Sequence, residues 1–369
     1  MSTTAITAAV VESAGAPFEL GPAELGEIQP DEVRVRMTAS GICHTDLLIR
    51  EGTFPTPMPV VLGHEGAGVV EEVGSAVSGI AADDRVALSY GSCGGCAACM
   101  TGRPYHCSDF FPRNFLATRP DGTTALSRDG QALHSHFFGQ SSFATGAIVN
   151  QLSVTKIADD APFEVVAPLG CGVQTGAGTV INALRPQAGS SIAIFGVGGV
   201  GLSALMAAAI CGCDPIIAVD IRPSRLDLAR ELGATHAIDA TQADPVREII
   251  EITRGGVDAG IEASGVPGVL RQTVDALAPN SIALLVGAPP AGTEEPIDTN
   301  ALLSTGRIVR GVVEGHSVPQ VFIPQLVDLW RAGRFPIDRL IRTYDFDQIN
   351  EAGEAALAGE VVKPVLRIG

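Results

Sequence analysis

The chain has 369 residues, too many for one ordinary domain and enough for two or three, each able to bury its own core. Hydrophobic residues make up 46% and charged residues 18%, a globular composition that excludes a disordered chain. The formal net charge of −17 gives an acidic surface that repels nucleic acid and anionic membrane, so neither is expected as a partner.

In chain order, residues 1–11 carry no basic flank and no apolar signal core. Val33, Val35 and Met37 alternate with Arg34, Arg36 and Thr38, which predicts a half-buried strand. Residues 60–73 and 85–90 read as further strands, with Gly74 and Gly79 as turns. A glycine- and cysteine-rich loop covers 91–107. Residues 110–130 also read as loop, with Pro112, Pro120 and Asp121-Gly122 as turn signals. The stretches 165–184 and 186–213 are long and uncharged, but glycines and polar residues interrupt both, so neither reads as a membrane span. A cytoplasmic location is expected.

The texture changes after about Gly170. Residues 191–195 form an apolar run, followed by a glycine-rich turn and an alanine-rich helix over 202–209. Residues 216–219 predict the next buried strand, ending in Asp220. Ser224 is the expected cap of a helix running to Leu232, with Gly233 past its end. Asp244-Pro245 opens another helix. Then come a strand over 257–262, a helix over 269–277 and a strand over 282–286. Strands alternating with helices imply βαβ units on a parallel sheet. From about 313 to 369 the texture is mixed again.

Gly196, Gly198, Gly199 and Gly201 surround Val197 and Val200 between a strand and a helix. Such a turn lets the backbone approach a pyrophosphate at the helix N-terminus, although a tight packing turn has the same signature. Asp220 lies at the end of the second strand, where a carboxylate accepts ribose hydroxyls and repels a 2′-phosphate. NAD is therefore expected over NADP, a preference that nearby Arg222 and Arg225 weaken.

Cys93, Cys96, Cys99 and Cys107 form a C-x2-C-x2-C-x7-C loop. Four thiolates on a folded-back loop suit a closed, structural zinc; an iron–sulfur cluster or disulfides are the rivals. Cys43, in Gly-Ile-Cys-His-Thr-Asp, His64, in Gly-His-Glu-Gly, and Cys171, in Gly-Cys-Gly, supply a second metal set. Two thiolates and one imidazole neutralise Zn²⁺ and leave a fourth position for substrate or water.

With these motifs in this order, the chain resembles the zinc-containing alcohol dehydrogenases of the medium-chain dehydrogenase/reductase superfamily. The segments around Cys43, residues 136–143 and 170–176 resemble its aryl-alcohol branch. The resemblance implies an α/β protein: a Rossmann domain with a doubly wound parallel sheet over 173–312, and a β-rich GroES-like catalytic domain over 1–172 to which 313–369 returns. The active site is then expected in the cleft between them. It implies two zinc ions per chain, with Cys43, His64 and Cys171 on the catalytic one, and Glu65 beside it as a neighbouring or alternate ligand. Asp46 is expected to orient His64, and Thr45 to take the substrate hydroxyl proton. Where many relatives end that proton path with a histidine, this chain has Leu48. His44 is expected to touch the pyrophosphate, Lys363 to be a second phosphate partner, and Thr175 and Val200 to flank the nicotinamide. Phe54, Ser89, Phe137 and Phe138 are expected in the substrate pocket, with Ser89 leaving room.

The resemblance thus implies reversible oxidation of a primary alcohol, aromatic or allylic, to its aldehyde with NAD, by a homodimer or homotetramer. Pairing between subunits is expected near 282–289. The alternatives are a thiol-dependent formaldehyde dehydrogenase, which needs cations such as Arg113 and Arg119 for its anionic adduct, and a non-catalytic zinc- and NAD-binding regulator. Cys211 and Cys213 read as core thiols, Trp330 as a core or interface anchor, and His106, His134 and His136 as residues outside any metal site.

Overall fold

Residues 3–369 are described by the computed structural model; Met1 and Ser2, which open the expected catalytic segment and the stretch read for a targeting signal, lie outside the described residues. The chain divides into two compact units. The first holds 3–172 together with Val318–Asp328 and Ile337–Gly369; the second holds Val173–Ser317 and Leu329–Pro336.

The alternating pattern at 33–38 is the middle of the strand Glu32–Gly41, which organises the first unit. Along one edge it pairs with Gly66–Val73. Along the other it takes Gly146–Asn150 beside its first half and Lys363–Arg367 beside its second. A seven-stranded sheet results, extended by Arg85–Leu88, Val154–Lys156 and Ile341–Asp345. A second sheet of five strands contains Thr4–Val11 and Val60–Val61. Val33, Val35 and Met37 bury their inward faces with Val10, Leu62 and Phe143 in one core.

Two elements here differ from the sequence expectation. The strand expected over 60–73 is broken into Val60–Val61 and Gly66–Val73. Gly63 sits between them at φ 90°, and the break frees His64 and Glu65 from sheet pairing. The loop expected over 110–130 contains the helix Phe110–Phe115 and the strand Leu126–Arg128.

The second unit carries a six-stranded parallel sheet. Its order is His236–Asp239, Ile216–Asp220, Ile192–Phe195, Val257–Glu262, Leu277–Leu285 and Ile308–Gly311. The order reverses between Ile192–Phe195 and Val257–Glu262, the doubly wound arrangement that leaves a ligand crevice at the strand C-termini. Two of these strands carry no sequence expectation: His236–Asp239 is short and polar, and Ile308–Gly311 is exposed along its length. The latter corrects the expected pairing edge. Residues 282–285 are hydrogen-bonded on both sides, to Val257–Glu262 and Ile308–Gly311, so the edge on that side of the sheet is Ile308–Gly311. The expected cap Ser224 is likewise corrected: the helix spans Pro223–Glu231, and the residue at its N-cap is Arg222. Among the described residues no helix is long and apolar enough to cross a membrane.

Asp244 does cap Pro245–Thr253, accepting from the Val246 and Arg247 N–H groups at 2.9 and 3.3 Å. Asp244→Ala should cost about 1 kcal/mol of stability, seen as a lower Tm in thermal denaturation with zinc content unchanged.

Candidate active site

One short helix starts the constellation. Cys43 is the residue before His44–Arg50, and its N–H donates to Asp46 Oδ2 at 3.0 Å. The other carboxylate oxygen, Oδ1, accepts from the Gly63 N–H at 3.1 Å and faces His64 Nδ1 at 2.8 Å. Asp46 and His64 are both wholly buried. The carboxylate keeps a proton on Nδ1 and leaves Nε2 as the free lone pair. That Nε2 is buried with no hydrogen-bond partner, which a structural histidine would not tolerate without cost.

Cys43, His64 and Cys171 each place a ligand atom within 4.8 Å of the other two. Two thiols, one orphaned imidazole nitrogen and an open fourth position are the donor set of a catalytic zinc. The Cys43 thiol is held well below its ordinary value, first by its hydrogen bond with Cys171 and then by His64, despite burial. A thiolate is the form a metal needs.

Glu65 stands outside this set. Its two oxygens lie 2.8 and 2.9 Å from Lys363 Nζ, and Oε1 also accepts the Gly172 N–H at 3.1 Å. Gly41 makes room for it, since a Cβ there would lie 2.1 Å from Glu65 Oε2. Lys363 was expected at the phosphates; here its ammonium is buried and also reaches the Ile42 carbonyl at 3.4 Å. Burial disfavours its charge, but the facing Glu65 carboxylate outweighs that and raises Lys363 above its ordinary value. Ser89 also differs from expectation: it is fully buried and donates to the Gly170 carbonyl at 2.7 Å, so it braces the Cys171 segment.

The four-cysteine loop is equally explicit. Cys93, Cys96, Cys99 and Cys107 lie within 4.8 Å of one another, with Sγ–Sγ separations of 3.9 Å for Cys93–Cys99 and 3.5 Å for Cys96–Cys99. A disulfide needs about 2.05 Å, whereas Zn–S bonds of about 2.3 Å give a tetrahedral edge of about 3.8 Å. All eight cysteines are free thiols. Backbone N–H groups of Cys99 and Ser108 hold the Cys96 thiol down to about 5. Neither His106, His134, His136, Cys211 nor Cys213 joins a metal-binding group among the described residues.

An aromatic cluster covers His64. Phe138 stacks on its ring at 4.5 Å and 27°, and Phe137 meets it edge-on at 5.5 Å. Phe115 joins Phe138 at 5.1 Å and stacks with Phe54 at 5.5 Å. Phe115 carries no local signal, because its helix falls in a stretch where Pro112 and Pro120 mark turns. Thr45 Oγ1 lies 3.8 Å from Cys43 Sγ. Arg119 and Arg113, the cations a thiol-adduct substrate would need, are occupied: Arg119 pairs with buried Glu32 at 2.8 Å, and Arg113 faces Asp109 at 3.8 Å.

In the second unit the glycine turn fits a dinucleotide. Gly196 has φ 86°, and a Cβ on Gly201 would lie 2.0 Å from the Gly196 carbonyl oxygen, so both must be glycine. A Cβ at Gly198 would meet only Arg225 Nη1 at 3.8 Å, which leaves the room a phosphate requires. Gly199 and Val200 open the helix Gly199–Ile210. Asp220 Oδ2 accepts the Val197 N–H at 2.9 Å, and its Oδ1 takes Ile221 and Arg222 N–H at 2.8 and 3.0 Å. Its carboxylate is thus fixed at the strand end. Thr175 comes beside Val200, because a Cβ on the intervening neighbour Gly176 would lie 2.0 Å from the Val200 carbonyl. His44 is exposed, in the first unit.

Residues 29–159 match the family described as alcohol dehydrogenase GroES-like domain, and residues 199–330 the family described as zinc-binding dehydrogenase. Geraniol dehydrogenase of Castellaniella defragrans is 45% identical over 361 residues, which cover 97% of this chain and 96% of that relative. The crystal structure of an alcohol dehydrogenase zinc-binding domain protein from Burkholderia ambifaria is 53% identical, with TM-score 0.98 and full coverage of both chains. That of benzyl alcohol dehydrogenase from Acinetobacter calcoaceticus is 48% identical, with TM-score 0.97, covering 99% of this chain and 100% of that one. The chain belongs to the zinc-containing alcohol dehydrogenases. It is an NAD-dependent zinc enzyme that combines a GroES-like catalytic domain with a Rossmann domain.

Asp46→Asn should lower kcat/KM about tenfold to a hundredfold, because the amide can leave His64 in the wrong tautomer; steady-state kinetics with zinc analysis checks it. Cys43→Ser and Cys96→Ser should each lose about one zinc per chain, and only Cys43→Ser should abolish activity while the fold persists in circular dichroism.

Proposed function

We propose that the enzyme oxidises primary aromatic and allylic alcohols to aldehydes, reversibly, with NAD. The observation that carries this reading is an aromatic cluster in which Phe138 stacks on His64, Phe137 meets it edge-on, and Phe115 and Phe54 extend from Phe138. Such walls favour flat, unsaturated substrates over short aliphatic ones. The similarity to a geraniol dehydrogenase and a benzyl alcohol dehydrogenase supports the same class.

Cys43, His64 and Cys171 would hold the catalytic zinc, and Cys93, Cys96, Cys99 and Cys107 the structural one. Zinc, when bound, supplies a Lewis acid that lowers the pKa of the alcohol, and NAD accepts the hydride. The chain's own residues do the rest. Asp46 holds the His64 tautomer. Thr45, with Oγ1 near Cys43 Sγ, relays the hydroxyl proton, accepting it while passing its own towards the nicotinamide ribose. The phenylalanines exclude water from the substrate. Gly196, Gly198, Gly199 and Gly201 cradle the pyrophosphate, Asp220 takes the ribose hydroxyls, and Arg225 supplies positive charge near the phosphates; His44 is the pyrophosphate contact that the resemblance implies. Thr175 and Val200 flank the nicotinamide. Lys363 is assigned to Glu65 rather than to phosphate.

Residues 1–172 with most of 313–369 are assigned to the catalytic domain and 173–312 to the nucleotide domain; within that tail 313–317 and Leu329–Pro336 cluster with the second unit. The free sheet edge Ile308–Gly311, with exposed Ile308 and Val309, supports assembly as a homodimer or homotetramer. Eight free thiols suit a reducing cytoplasm.

A substrate panel following NADH absorbance tests the proposal. Benzyl, cinnamyl or geranyl alcohol should show a higher kcat/KM than ethanol, and NAD should outperform NADP. Faster oxidation of ethanol would overturn the substrate assignment. Activity with formaldehyde only in the presence of a small thiol would restore the thiol-adduct alternative.

A further inference from the structure

A charged cluster whose members belong to neither metal-ligand set lies inside the first unit. Glu32, Arg119 and His136 are only 3%, 8% and 5% exposed. Arg119 grips Glu32 with two parallel hydrogen bonds, Nε to Oε1 and Nη2 to Oε2, each 2.8 Å. The guanidinium also reaches the Glu27 and Thr124 carbonyls at 3.1 and 3.4 Å. Burial pushes the Glu32 carboxyl up, but the His136 imidazole facing it and the Arg119 guanidinium gripping it bring it down to about 2.

His136 Nε2 lies 3.5 Å from Glu32 Oε1. Its Nδ1 is 3.1 Å from Ser135 Oγ, which accepts the Ala125 N–H at 3.2 Å. With the Ser135 proton given to Nδ1, the ring carries its own proton on Nε2, towards the carboxylate.

His136 opens a turn of unusual backbone. His136, Phe138, Gly139 and Ser141 have φ of 71°, 50°, 69° and 53°. Three of these residues carry a Cβ, which disfavours the left-handed region, so the turn persists only because its surroundings over-determine it. Its far end is pinned: Ser141 Oγ accepts the Phe137 N–H at 3.0 Å and donates to the Val61 carbonyl at 2.6 Å. Gln140 Nε2 donates to the His64 carbonyl at 3.0 Å. The near end is His136. Between the two pins stand Phe137 and Phe138, the rings that meet His64. A buried ion pair seldom improves stability over apolar side chains of equal volume, so fixing geometry is the better account of this one.

We propose that Glu32, Arg119 and His136 are positioning residues of the alcohol pocket, which hold the left-handed turn 136–141 and thereby set Phe137 and Phe138 against His64. The inference rests on the reading that these two rings bound the substrate. The test compares His136→Leu, which removes the link to Glu32, with His136→Asn, which keeps a donor and adopts left-handed backbone readily. His136→Leu should raise KM for benzyl alcohol about tenfold, with kcat for benzyl alcohol and KM for ethanol within about twofold and zinc at two per chain. His136→Asn should recover much of the benzyl alcohol KM. A variant that loses Tm while keeping the benzyl-to-ethanol preference makes the cluster merely structural and overturns the proposal. If His136→Leu does not fold, Ser135→Ala decides by the same KM comparison. Phe138→Ala is measured alongside: if it leaves KM for benzyl alcohol unchanged, the pocket reading itself fails, separately from the cluster.

Discussion

Asp46 is the carboxylate on which the catalytic centre depends. It is wholly buried, and such a group survives only if its lone pairs are met. They are met by two segments at once: the Cys43 N–H on one oxygen, and Gly63 N–H with His64 Nδ1 on the other. One side chain therefore fixes the spacing between two metal ligands, the tautomer of one of them, and the break in the sheet between Val61 and Gly66. The burial that makes the carboxylate costly to leave unpaired makes the ligand geometry stiff.

Around it the unit repeats the same device. Glu65 is held by Lys363 and by the Gly172 N–H, which sets the segment following Cys171. Ser89 braces the carbonyl just before it. The third ligand is placed by hydrogen bonds on both flanks, from partners outside the three-ligand set. Electrostatics therefore dictates where backbone segments end, and packing of Phe137 and Phe138 against His64 closes what remains.

The metal chemistry is legible in the sequence because thiol and imidazole types, in glycine-flanked segments, have few other uses. The nucleotide turn is legible for a similar reason: the strand, glycines, helix and Asp220 follow one another locally. What is not legible depends on distance along the chain. Lys363 finds Glu65 across 298 positions, and no local pattern announces it. Phe115 is hidden because Pro112 reads as a turn signal, yet it falls inside the helix Phe110–Phe115. Ile308–Gly311 is missed because a fully exposed strand carries neither alternation nor an apolar run.

The partnership of Glu65 with Lys363 also has a temporal meaning. The ribosome delivers His64 and Glu65 early, and N-terminal segments fold first where they can. Glu65 must nevertheless wait for the strand Lys363–Arg367, which lies against Glu32–Gly41, before its buried charge is neutralised. Through most of synthesis this region is thus an unfinished interior, with a carboxylate and soft thiol ligands open to solvent and stray metals. Completion is tied to a strand 298 positions downstream of the carboxylate it neutralises, and a chain without that strand would leave Glu65 unpaired.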